Sequence, residues 1–162
     1  MFLIEVIPVL LALFFLLLMI RDDWREREVK AWHMAYFAFA LNAFFIRQIG
    51  IKLWLDQLLL NELIVAIYLI TIIGYLLVKR LPWRQLFQSY FGLGDVLFLV
   101  ALAPCFAPQF WLGVTITCFI SAAILHLLFR KNENDTVPFV SYGGIVAILA
   151  FCVQYYIQTY GA

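Results

Sequence analysis

The sequence predicts an all-α fold: a polytopic bundle of about six transmembrane helices in a single integral-membrane domain covering residues 1–162. Three observations predict it. Of the 162 residues, 66% are hydrophobic and only 13% charged, where a soluble domain averages nearer half and a quarter. Apolar runs of bilayer length follow one another with no room left for a soluble domain. The basic residues collect in alternate connections between those runs, as the positive-inside rule requires.

The runs are read in order. The first span is expected at about Phe2–Ile20, apolar from its second residue and without a basic leader, so it is taken as a retained helix rather than a signal peptide. The second covers about Trp32–Ile46 and the third about Leu58–Val78. The fourth begins between Gln85 and Phe91 and runs to Pro104, the fifth covers Phe110–Phe129, and the sixth Pro138–Ile157. Pro104 and Pro108 bracket a turn too short and too apolar for a domain linker.

Loop one (Arg21, Arg25, Arg27, Lys30), loop three (Lys79, Arg80, Arg84) and loop five (Arg130, Lys131) hold nine of the eleven basic residues. Only Arg47 and Lys52 lie elsewhere. This bias puts the odd-numbered loops in the cytoplasm and both termini outside it. The net charge of +1 is diffuse, and no basic cluster offers a nucleic-acid footprint. Cys105, Cys118 and Cys152 lie far apart in apolar segments and are read as small buried hydrophobes, with no metal-ligand spacing.

Most acidic residues have plain readings. Glu5, Asp56 and Glu62 can snorkel to an interface. Glu26, Glu28, Glu133 and Asp135 fall in loops, and the alternating signs of "RDDWREREVKAW" suit an exposed, salt-bridged helix extension for Asp22 and Asp23 as well. Asp95 differs, because it is the only charge between Arg84 and Pro104. An intramembrane carboxylate costs about 2.5–3.5 kcal/mol on insertion scales. It is either a neutral or hydrogen-bonded structural group or a catalytic acid.

Two features favour the second reading. Gly92 and Gly94 precede Asp95 on nearly one helical face, and their missing side chains admit a second backbone, such as a peptide to be cut. The charge bias also sets Asp22 and Asp23 at the same membrane face as Asp95. Two carboxyls from different helices can share one proton there and perform aspartic-protease chemistry, which needs no metal or cofactor.

The order of an aspartate after the first span followed by "GLGD" resembles the G-x-G-D intramembrane aspartic peptidases, particularly the type IV prepilin peptidase family. In that resemblance Asp23 is followed by "WRERE" and "VKAW", with Val29 and Trp32 in the places of an isoleucine and a tryptophan. "GLGDVLFLVALAP" supplies Gly92, Gly94, Asp95 and Val96, and "VPFVSYGG" (137–144) looks like the opening of the family's last span. Leu97 stands where the family usually has lysine, and Lys30–Ala31 replace a Pro-Asn pair. The large insert that carries N-methylation activity is absent, so the likeness is to the small, peptidase-only form.

What the resemblance implies is a multi-pass enzyme of the cytoplasmic (inner) membrane. It would cleave the short basic leader of a prepilin-like substrate protein after a glycine, at the cytoplasmic face. Asp23 and Asp95 would be catalytic, with Gly92 and Gly94 beside the substrate. Glu26 and Glu28 are either solvated or attract the leader. His33, His126 and Ser141–Tyr142 are read as helix-end groups near that face. A non-cleaving interaction protein of the same fold and a small proton-coupled transporter are the competing classes.

Overall fold

The computed structural model describes residues 2–26, 28–80, 92–129 and 138–160. Among them the secondary structure is entirely helical: α1 Phe2–Glu26, α2 Ala31–Ile49, α3 Ile51–Val78, α4 Leu93–Leu102, α5 Pro108–Phe129 and α6 Phe139–Tyr160. A 3₁₀ turn, Ala103–Cys105, closes α4. The expected start of the fourth span, Arg84 and the loop-five residues Arg130, Lys131, Glu133 and Asp135 lie outside the described residues, as do Arg27 and the side chain of Glu5.

Two helical stretches, Ile51–Tyr75 and Pro108–Leu128, are long and apolar enough to cross a membrane. Leu93–Cys105 and Phe139–Gln154 are shorter apolar helices. The exterior is apolar to match. α3 alone exposes Leu59, Leu63, Ile67 and Ile70 along one flank.

Two boundaries differ from the sequence reading for local reasons. α1 runs six residues past the apolar stretch, because charged residues that form good helix continue it to Glu26. α2 and α3 meet at the single residue Gly50, where a loop was expected. Its φ of 81° and ψ of 155° belong to a region open essentially to glycine.

α1 packs on α2 and α6, α5 on α6, and the α4–3₁₀ unit fits between α2, α3 and α6. The core runs through Leu16, Met19, Phe37, Phe98, Leu102 and Trp111. Phe98 stacks with Phe37 of α2, ring centroids 6.1 Å apart. Glycine decides how close α6 comes. A β-carbon on Gly144 would meet Ile20 at 3.0 Å and Leu16 at 3.3 Å, and one on Gly143 would meet Phe98 at 3.2 Å. These two positions let α6 sit directly against α1 and α4, as small residues do at membrane-helix interfaces.

The carboxyl end of α4 is held by amides. Asn61, fully buried on α3, donates to the carbonyls of Ala103 (2.6 Å) and Phe106 (2.8 Å). Asn42 donates to Ala101 (3.3 Å) and Gln154 to Cys105 (3.4 Å). The 3₁₀ turn frees carbonyls that no helix bond can use, and these side chains take them. Cys105 and Cys118 are buried as expected, whereas Cys152 is exposed on α6.

Candidate acidic site

The opposite end of α4 gathers the carboxyl end of α1, the α1–α2 connection and the amino end of α6. Asp23 is carried by α1 and is only 6% exposed. Its Oδ2 accepts two hydrogen bonds from Ser141, one from the backbone N–H (2.7 Å) and one from the hydroxyl (2.8 Å). The same hydroxyl lies 3.1 Å from the Ile20 carbonyl. Ser141 is in the first turn of α6, whose leading N–H groups have no partner within the helix. Asp23 therefore caps α6 from another helix, in a place where the helix dipole favours negative charge. Trp24 meets Tyr142 edge-on at 5.9 Å and secures the same junction.

Asp95 is the third residue of α4 and is half-buried. Its Oδ2 accepts the Gly92 N–H at 2.8 Å, the back-reaching half of a capping box. Asp95 and Asp23 are near enough for their charges to interact. The two candidate residues are thus brought together from different helices at one end of the bundle.

The glycines before Asp95 have separable reasons. Gly92 has an ordinary extended φ of −66°. A β-carbon there would lie 3.3 Å from Asp95 Oδ2, so glycine leaves the carboxylate uncovered. A β-carbon on Gly94 would be 3.8 Å from Val29 Cβ, an ordinary contact. Val29, in the short connection after α1, therefore faces the second glycine of "GLGD". The two motifs that carry the family resemblance meet in space.

Asp22 is not the solvated residue its charge pattern suggests. It is 1% exposed and turned to α2, where its Oδ2 lies 2.9 Å from His33 Nδ1 and 3.9 Å from Lys30 Nζ. Arg21 Nη2 donates to Oδ1 at 2.9 Å. The His33 contact is electrostatic rather than an aligned hydrogen bond. Burial pushes the Asp22 pKa up, but the Arg21 hydrogen bond and the Lys30, Arg21 and His33 charges outweigh it and hold the carboxyl below the ordinary 3.8. Adjacent aspartates thus have different work: Asp22 clasps α1 to α2, and Asp23 joins α1 to α6 within reach of the Asp95 charge.

His126 is half-buried in the last turn of α5 and makes no hydrogen bond or ion pair among the described residues. Glu26 and Glu28 are exposed, as a solvated segment should be. Ser141, His33, Gly143 and Gly144 were legible only as helix-end or motif residues. A serine just after a helix-opening proline, followed by paired glycines, was the available sign of a carboxylate and a close helix.

No family model matches the chain, and neither a curated protein nor a solved structure matches it.

Proposed function

We propose that the chain is an intramembrane aspartic endopeptidase that removes the short basic leader of prepilin-like substrates at the cytoplasmic membrane face, without N-methylation activity. The observation that carries the reading is the approach of Asp23 and Asp95. Two acidic side chains from helices far apart in sequence come near enough for their charges to interact in a molecule that is 66% hydrophobic. Neighbouring carboxyls resist ionising together, and a pair placed so points to chemistry.

In this reading six helices span the inner membrane with both termini outside the cytoplasm, and the acidic end faces the cytoplasm. The positive-inside bias supports that orientation. The apolar flank of α3 suits lipid. Gly92 and Gly94 add no side chains of their own beside Asp95, which suits the approach of an extended peptide. One aspartate activates water as general base, and the other protonates the scissile carbonyl as general acid.

Coexpression with prepilin candidates from the same genome tests the proposal, with leader removal scored by mass for the native chain and for Asp23→Asn and Asp95→Asn. Removal by the native chain and by neither variant is expected. Cleavage that survives either change ends the reading.

A further inference from the structure

The two aspartates are held by different partners, and this difference divides their labour. We infer that Ser141 is a positioning residue that fixes Asp23 as the charged, water-activating member of the pair and leaves Asp95 to carry the shared proton. The inference rests on the peptidase reading above and deepens it.

The geometry is asymmetric. Asp23 Oδ2 accepts both the N–H and the hydroxyl of Ser141, at 2.7 and 2.8 Å, at the positive end of the α6 dipole. Hydrogen bonds of this kind favour the ionised carboxylate. Asp95 Oδ2 accepts one backbone N–H, from Gly92 of its own helix. Among the described residues, Ser141 from α6 bonds Asp23, and Asp95 from α4 is near enough for the two charges to interact. Arg21 and Asp22 flank it on α1, and Lys30 and His33 turn to Asp22. The Ile20 carbonyl, 3.1 Å from the same hydroxyl, is a second and longer acceptor for its single proton, so the hydroxyl lies between two acceptors of α1.

The reaction balances on these assignments. Asp23 takes a proton from water as the hydroxyl oxygen bonds to the scissile carbon, and Asp95 gives its proton to the carbonyl oxygen. The resulting gem-diol breaks its C–N bond when Asp23 returns a proton to the departing nitrogen and Asp95 recovers one from a diol hydroxyl. Both carboxyls end as they began.

Asp-selective ¹³Cγ NMR of the detergent-solubilised chain tests the proton's location without requiring activity. A protonated aspartate resonance at neutral pH should disappear in Asp95→Asn. Its survival there, or its absence from the native chain, overturns the assignment. In the Asp95→Asn background, Ser141→Ala should raise the Asp23 titration midpoint by about one pH unit or more, and Ser141→Thr should restore it. An unchanged midpoint overturns the role of Ser141.

A reporter with a basic leader ending in glycine before a hydrophobic helix supplies the kinetic arm. Ser141→Ala should lower kcat at least tenfold with KM unchanged, and Ser141→Thr should recover it; an equal kcat in all three chains also overturns the role. A native chain that leaves the reporter intact refutes the peptidase reading instead, while the NMR arms still decide where the proton sits.

Discussion

The two ends of α4 solve opposite problems. At the carboxyl end, carbonyls released by the 3₁₀ turn are met by neutral amides from Asn42, Asn61 and Gln154. Every donor there has an acceptor that the fold needs satisfied. At the amino end, Asp95 is set near a second acid. Amides could have capped that end as well, with no repulsion. The contrast separates polar groups that hold the helix in place from polar groups whose company works against the fold.

Substitutions can break this contrast, and the largest effect is expected at the acidic end. On the peptidase proposal, Asp23→Asn or Asp95→Asn should reduce leader cleavage by roughly 10²–10⁴-fold or more, scored on a purified substrate. The Asp95→Asn chain should unfold at about the same temperature, because asparagine has the shape of the protonated carboxyl and its Oδ1 can still accept the Gly92 N–H. Loss of fold in that variant would erase the distinction between the two ends.

Asn61→Leu should do the reverse. It leaves the Ala103 and Phe106 carbonyls without their donor, at a cost of about 1–3 kcal/mol, read by denaturant unfolding in detergent. Cleavage per folded molecule should stay near normal. A stability effect below about 0.5 kcal/mol would show that the amide network is dispensable.

The glycines sharpen the comparison. Gly144→Ala places a methyl 3.0 Å from Ile20 and should cost about 1–2 kcal/mol by forcing α6 from α1. Gly94→Ala meets only an ordinary contact with Val29 and should change stability by less than about 0.5 kcal/mol. A lower cleavage rate in that variant would mark a surface used by the peptide.

The smallest effect is pH-dependent. Asp22 titrates below its ordinary 3.8 in the folded chain, so its contribution is complete above that pH and drains away as pH falls through the lower folded value. Thermal scans from pH 5 to pH 3 should show a decline that Asp22→Asn flattens. Equal slopes in the two chains would remove Asp22 from the clasp.

The helices were legible because long apolar runs leave little ambiguity, and α5 ends at Phe129 as read. The Gly50 corner was not, since Arg47, Lys52 and Asp56 around it have the composition of a loop. Asp23 and Asp95 were readable as a pair through their motifs. Asp22 was misjudged because a run of alternating charge looks solvated, and only the approach of α2 turns one of its carboxylates inward. Ser141 could not be weighed, because its partner lies 118 residues away. Sequence spacing marks a helix start but does not say which side chain will meet it.

The corner between α2 and α3 has a final consequence. A β-carbon on Gly50 would find nothing within 4 Å, so size does not select glycine there. Handedness does: an L residue collides with its own backbone at that φ, whereas its mirror image takes the sign of φ that suits it and strains less. Chemical synthesis with D-alanine at position 50 would therefore preserve a joint that L-alanine strains, with the same atoms in both chains.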